Sequence, residues 1–140
     1  MVDIIHIVPI NGKEEDIYKA VTTKKGLSSW WTTDVKAQAK VGTTSEFGFM
    51  NHGMVFTMEV SELEPASRVK WISKSGPPDW EGTTVEFSLL KNDQGSLLRF
   101  VHAGFKSTDG GYGMYNFNWA GYLTSLKKYL ETGKGEPNIS

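Results

Sequence analysis

The chain has 140 residues, the length of a single domain, and it contains no cysteine, which excludes disulfides, thiolate metal sites and cysteine nucleophiles. Its net charge of -1 provides no field that would attract nucleic acid or an anionic membrane, so polyanions are not expected partners. The N-terminal sequence lacks the basic start and apolar length of a signal peptide, and no apolar run approaches the roughly 20 residues that span a bilayer; we therefore expect a cytoplasmic protein without stable membrane insertion.

The N-terminal segment predicts a strand followed by a short helix. Asp3–Val8 is rich in β-branched residues and is followed by proline and asparagine, which is typical of a strand. The spacing of Asn11 and Glu14 resembles a capping box, so the first helix is expected from Gly12 to about Thr22.

A second short helix is predicted before the sheet continues. The segment 22–31 contains a threonine suited to cap one further helical turn, and it ends in a tryptophan pair. Of this pair, Trp30 and Trp31, one ring is expected in the core and the other at the rim of the sheet. The sequence leaves open which is which.

Alternation of apolar and polar residues predicts a meander of strands between Trp31 and Phe105. In the segment 54–61, Met54, Phe56, Met58 and Val60 alternate with more polar residues, a period of two. Similar alternation recurs in later segments, which gives about six strands including the first. One face of this sheet is apolar and requires a cover.

The C-terminal segment predicts a long amphipathic helix that supplies this cover. At 100° per residue, one face carries Tyr112, Tyr115, Trp119, Leu123, Leu126 and Leu130. Gly133 suits the helix C-terminus. We therefore predict one α+β domain over residues 1–132, with a curved antiparallel sheet wrapped around the helix, and a flexible tail over residues 133–140.

The order of these elements, the tryptophan pair, the motif HAGF at the end of the last strand and WAGYLTSLKKYLE in the last helix resemble a known family. The chain is similar to the activator of heat-shock-protein-90 ATPase homologues, within the START/polyketide-cyclase (SRPBCC, birch-pollen-allergen-like) superfamily. The resemblance implies the helix-grip fold and a deep apolar cavity between the last helix and the sheet. Members use this cavity to bind lipids, hormones or polyphenols, or to cyclise polyketides, without a shared catalytic residue.

The inward positions form the candidate ligand site, because aromatic side chains are common in the walls of small-molecule sites. The alternative is that they pack together as core. The ligand-binding candidates are Trp30, Phe49, Phe56, Met58, Trp71, Phe87, Phe100, His102, Tyr112, Tyr115, Trp119 and Leu123.

His102 is the most informative polar residue of this set, since strand alternation turns it inward with Phe100. Three roles are open to it: a core histidine with a satisfied hydrogen bond, a group that orients a ligand, or a weak candidate for general acid or base catalysis. The carboxylates of Asp79, Glu81 and Asp109 are expected to be solvated in loops. No metal-binding spacing is present, so we predict neither a metal nor a cofactor.

The preferred hypothesis is a small binding protein, not an enzyme, that holds an apolar, lipid-like or aromatic molecule such as a polyphenol. The alternatives are a polyketide cyclase or aromatase-like enzyme that uses the same cavity, and an interaction protein of the chaperone-ATPase-activator type, with a link to the stress response. The chaperone contact is suggested only by the resemblance. The sequence does not indicate the oligomeric state, nor whether the cavity is open or filled by side chains.

Overall fold

A long C-terminal helix lies across one face of a seven-stranded antiparallel sheet in the computed structural model, which describes residues 1–139. The strands are β1 (Val2–Ile10), β2 (Asp34–Lys36), β3 (Thr44–Phe49), β4 (Met54–Glu64), β5 (Arg68–Ser75), β6 (Thr84–Asn92) and β7 (Gly95–Phe105). The helices are α1 (Glu14–Thr22), α2 (Lys24–Trp30) and α3 (Tyr112–Thr132). This architecture confirms the predicted helix-grip fold.

The strands follow one another in the sheet except for β1, which pairs with β7 at the edge; their order is β1-β7-β6-β5-β4-β3-β2. The prediction of about six strands missed β2, a three-residue strand that pairs with β3. Such a short strand has too few residues to show a period. Because the connections alternate between the two ends of the sheet, the β3–β4, β5–β6 and β7–α3 loops lie at the same end.

The first helix begins two residues later than predicted. Its N-cap is Lys13, whose side chain makes no capping hydrogen bond, so the predicted capping box is wrong. Asn11 is instead tied to α3, where the Glu131 carboxylate accepts a hydrogen bond from its backbone N–H at 2.8 Å. Glu14 accepts a hydrogen bond from the Ser96 hydroxyl at 3.1 Å.

Both tryptophans at the end of α2 are buried, so the prediction that one ring lies at the rim is wrong. Trp30 is 0% exposed and Trp31 is 1% exposed. The Trp30 indole donates a hydrogen bond to the Ala20 carbonyl at 2.8 Å, which fixes it between the two short helices. Trp31 points into the sheet, where its ring stacks parallel to that of Trp71 at 6.1 Å.

The C-terminal helix has the predicted inward face, and Gly133 ends it in the left-handed conformation at φ 86°. Its side chains also bind the backbone of β1: the Tyr112 hydroxyl donates to the Asp3 carbonyl at 2.7 Å, and the Lys127 ammonium donates to the Pro9 carbonyl. These bonds fix α3 against the edge of the sheet. Within residues 1–139, no helix has the length and apolar character to span a bilayer.

The segment after α3 folds back onto the domain, which the prediction of a flexible tail did not anticipate. The backbone of Asn138 exchanges hydrogen bonds with the Trp31 carbonyl at 2.8 Å and the Thr33 N–H at 2.9 Å. The Ser125 hydroxyl accepts a hydrogen bond from the Glu136 N–H at 2.7 Å and donates one to the Trp30 carbonyl at 2.8 Å. Backbone contacts of this kind are not visible in a sequence pattern.

Candidate functional site

The predicted ligand-contacting residues face the space between α3 and the sheet, or lie directly beside it. Tyr112 is only partly buried, at the edge near β1, and all the others are buried. The buried ones are Trp30, Phe49, Phe56, Met58, Trp71, Phe87, Phe100, His102, Tyr115, Trp119 and Leu123. Whether any of them contacts a ligand stays a prediction.

Aromatic side chains of the chain itself fill the space that was expected to be a cavity. Trp31 lies 5.3 Å from Trp119 and 4.3 Å from Phe47 between ring centroids, and Trp119 lies 4.4 Å from Phe100. Aromatic pairs in contact have centroid separations of about 4.5–7 Å, so these rings pack at or slightly inside the close end of that range. On the side of α1 and α2, the gap beside Trp71 has no room for a water molecule. In this conformation the described interior around these rings is a packed core.

One chain of hydrogen bonds crosses this apolar interior. The Trp119 indole N–H donates to His102 Nδ1 at 3.1 Å, and His102 Nε2 lies 2.8 Å from the Thr83 hydroxyl. The Thr83 hydroxyl donates to the Trp80 carbonyl at 2.5 Å. Because an indole N–H can only donate, Nδ1 must accept, so the neutral imidazole carries its proton on Nε2 and donates it to Thr83. Both ring nitrogens of His102 are therefore satisfied.

Burial keeps His102 neutral. Its side chain is 0% exposed, and desolvation lowers its pKa from 6.5 to about 3. At neutral pH it has no free lone pair to accept a proton. Of the roles left open by the sequence, the geometry favours a core histidine with satisfied hydrogen bonds.

Trp80 lies at the centre of this end of the interior, although it belongs to the loop between β5 and β6. It is 2% exposed, and its ring lies parallel to that of Trp119 at 5.9 Å and edge-on to that of His102 at 4.7 Å. Its indole nitrogen is buried without a hydrogen-bond partner among the described residues. An unpaired buried donor costs about 1–3 kcal/mol.

The loop that carries Trp80 is attached to the start of α3. The Asp79 carboxylate accepts a hydrogen bond from the Gly111 N–H at 3.1 Å. The pKa of the Tyr115 hydroxyl is raised, mainly because the group is buried and to a smaller extent because the Asp79 carboxylate is nearby. Asp79 therefore has a structural contact that the prediction of a solvated carboxylate did not include, whereas Glu81 and Asp109 are exposed as expected.

Two important members of this cluster, Trp31 and Trp80, were not among the predicted site residues, nor was Thr83. A tryptophan in a polar loop indicates a buried position, because so large an aromatic side chain is rarely left in solvent. The sequence of the loop, SGPPDWEG, therefore contained an indication that its tryptophan turns inward. The position of the Thr83 hydroxyl had no comparable signal.

Comparison with known proteins supports the fold and the family. The sequence profile of the "Activator of Hsp90 ATPase homolog 1-like protein" family matches residues 11–131. The solution structure of the Aha1 dimer from Colwellia psychrerythraea is similar to this chain, with 37% identity, a TM-score of 0.88, and coverage of 96% of this chain and 100% of that chain. No curated protein sequence matched.

More distant structures share the fold alone. A protein from Mesorhizobium loti is 21% identical with a TM-score of 0.80, and the match covers 92% of this chain and 96% of that chain. An AHSA1-like protein from Aeromonas hydrophila is 15% identical with a TM-score of 0.76, covering 94% of each chain. The profile match over most of the chain and the 37% identity to the Colwellia protein together show that this chain belongs to the family of activator of Hsp90 ATPase homologue 1-like proteins.

Proposed function

We propose that this protein acts by binding another protein, as an interaction partner of an Hsp90-class chaperone, and not by catalysis. The observation that carries the proposal is the filled interior. The rings of Trp31, Trp80 and Trp119 occupy the space between α3 and the sheet, where the family resemblance implied a ligand cavity. The outer surface is therefore what remains available for function. The family match supports the choice of a chaperone as the partner.

Addition of the protein to an Hsp90-class chaperone from the same organism should increase the rate of ATP hydrolysis in a saturable manner. The chaperone alone, and the chaperone with an unrelated domain of similar size and charge, serve as controls. Co-elution at low and at moderate salt should distinguish a specific complex from weak charge attraction, which salt screens. No change in the hydrolysis rate and no complex at either salt concentration would contradict the proposal.

The enzyme alternative gains no support from the geometry of His102. A general base needs a free lone pair within reach of a substrate proton. Nδ1 already accepts from Trp119, and Nε2 carries a proton toward Thr83. A cyclase-like mechanism through this residue would first have to break the hydrogen-bond chain.

The predicted binding of an apolar, lipid-like or polyphenol-like molecule is a second candidate function, favoured by one observation. Trp80 fills an aromatic-walled position with a side chain whose polar nitrogen is unpaired. A ligand can bind there only if the loop moves, because the interior around Trp80 has no room for both. This candidate uses the interior and not the outer surface, so it is tested by a separate binding assay.

We also propose that the protein forms a dimer through the outer face of α3. Phe117 is 80% exposed and Met114 is 61% exposed on this helix. Because they are three residues apart, their side chains are neighbours on one face of the helix. The similar Colwellia protein is described as a dimer. A two-fold axis beside Phe117 would bring the same apolar patch of both copies together, as isologous interfaces require.

Phe117→Ser should shift the protein from dimer to monomer in a sedimentation-velocity concentration series, because it removes the largest exposed apolar side chain of this face. The matched control is Leu90→Ser, which removes an apolar side chain that is 59% exposed on β6. The control should leave the dimer intact. A wild-type protein that stays monomeric throughout the series, or equal effects of the two variants, would rule out this interface.

A further inference from the structure

The face of the sheet that points away from α3 carries an apolar patch. On β1, Ile4 and Ile10 are buried toward the interior, so the residues at odd positions of this strand face outward. Ile5 is 50% exposed and Ile7 is 53% exposed, and on β6 Leu90 is 59% exposed. The register of β1 with β7 and of β7 with β6 brings the outward-facing residues of the three strands side by side. Their apolar members, called here the outer patch, are Ile5, Ile7, Pro9, Leu90, Leu97 and Val101.

Arg99 lies within the outer patch. On the neighbouring strands it is opposite Ile7 and Ser88, and along β7 it lies between Leu97 and Val101. It is exposed, and within residues 1–139 its guanidinium has no ion pair and no hydrogen bond. Arginine and large apolar side chains side by side are typical of protein interfaces, where arginine is among the residues that contribute most to binding.

The cations of the adjacent strand β5, on the same face, are already paired. The Arg68 guanidinium lies 2.6 Å from the carboxylate of Glu62 and 2.6 Å from that of Glu86. The Lys70 ammonium lies 3.6 Å from the Glu62 carboxylate. A protein that docks on this face therefore meets an unpaired cation at Arg99, beside a half of the sheet whose cations have partners. An unpaired cation favours a partner that presents a carboxylate.

The free edge of β1 is covered, so a partner cannot add a strand to the sheet there. The Tyr112 hydroxyl binds the Asp3 carbonyl and the Lys127 ammonium binds the Pro9 carbonyl, which places α3 along both ends of this edge. Pro9 also has no N–H to offer. An added strand would have to displace α3, whereas the outer patch is reached without any movement. Side chains, not backbone pairing, are therefore what this surface offers.

A second copy of this chain does not match the outer patch. A two-fold axis at its centre would bring the Arg99 guanidinium groups of both copies together, because such an axis places each residue opposite its own counterpart. Like charges that face each other across an interface oppose binding. The outer patch is therefore suited to a different protein, and it is separate from the dimer surface proposed on α3.

We propose that the outer patch is the surface through which this protein binds its chaperone partner, and that it recognises a carboxylate flanked by apolar side chains. The partner's carboxylate pairs with Arg99, and its apolar side chains cover Ile7 and Leu90 on either side. The proposal rests on the chaperone interaction proposed above, to which it adds the face of the molecule and the chemistry of the contact.

Charge reversal at Arg99 tests the contact by isothermal titration against the chaperone of the ATPase assay. Arg99→Glu should weaken the complex by at least about tenfold, because it places two carboxylates against each other. Arg99→Lys keeps the positive charge and should bind more tightly than Arg99→Glu. The matched control is Lys24→Glu, the same change in net charge at an exposed position on α2, which should leave the affinity within about twofold of the wild type.

Two further variants separate the apolar contact from the charge. Ile7→Thr keeps a β-branched residue in the strand and should weaken the complex by about threefold or more, because it removes apolar contact area. Arg99→Met removes the charge but keeps a long apolar side chain, and it should bind more weakly than the wild type. If circular dichroism shows that Arg99→Glu does not fold, the comparison of Arg99→Met with Lys24→Glu decides.

The outcomes distinguish this surface from the chaperone interaction itself. Wild-type affinity in the folded Arg99 variants, or an equal loss in Lys24→Glu, would overturn the outer patch and leave the chaperone interaction intact. No complex between the chaperone and the wild type would overturn both.

Discussion

Replacing Trp31 with alanine should lower the free energy of unfolding by about 3–5 kcal/mol, the range typical of a large aromatic side chain removed from a packed core. Trp31 is 1% exposed and joins the rings of α2, the sheet and α3. Its ring contacts are Trp30, Phe47, Phe49, Phe56, Trp71, Trp119 and Tyr122. No single neighbour can close the space that its indole would leave, so the cavity cost adds to the lost burial.

Urea denaturation followed by far-ultraviolet circular dichroism measures this change, with the slope m used to check that unfolding remains two-state. The control is Leu90→Ala, at a position 59% exposed, for which a loss of less than about 1 kcal/mol is expected. If Trp31→Ala lowers the free energy of unfolding no more than the control does, Trp31 does not lie in the core. The interior would then not be filled, and the proposed function would lose the observation on which it depends.

The regular elements could be predicted because periodicity reports side-chain direction. The alternation around Met58 and Phe87 identified the inward faces of β4 and β6, and the helical spacing of Trp119, Leu123 and Leu126 identified the inward face of α3. These positions are buried as predicted. The family resemblance added the helix-grip arrangement, in which the sheet curves around the C-terminal helix.

The state of the cavity could not be predicted, because it is decided by two tryptophans whose direction no period reveals. Trp31 follows the last residue of a short helix, and Trp80 lies in a loop. Both turn inward through contacts with distant parts of the chain, such as the stacking of Trp31 on Trp71 and of Trp80 on Trp119. A list of inward strand and helix positions describes the walls of a cavity without the side chains that fill it.

Acidification should destabilise the fold by about 2 kcal/mol between pH 7 and pH 5 through His102 alone. In the folded protein its pKa is lowered to about 3, whereas in the unfolded chain it has its ordinary value of 6.5. Between these two values the unfolded state binds one proton more than the folded state, so the free energy of unfolding falls as the pH falls. The slope approaches about 1.4 kcal/mol per pH unit well inside this window.

The window from pH 7 to pH 5 separates this effect from that of the paired carboxylates. The pKa of Glu62 is lowered chiefly by a hydrogen bond from Arg68, and that of Glu136 by one from Lys128. A carboxylate with a lowered pKa contributes stability above its unfolded pKa of about 4.3, and this contribution is lost below that value. The ion pairs therefore weaken only in more acidic solution, after most of the His102 effect has appeared.

His102→Gln should remove this pH dependence while keeping the hydrogen-bond chain. The glutamine amide oxygen can accept from the Trp119 indole, and its NH₂ group can donate to the Thr83 hydroxyl, but the side chain does not titrate. Urea denaturation at pH 7 and pH 5 should show the wild type losing about 2 kcal/mol more than the variant. The comparison cancels any contribution of His6 and His52, which both proteins share. Equal losses in the two proteins would mean that His102 is protonated, or accessible to protons, in the folded state, and a role in acid or base chemistry would then return to consideration.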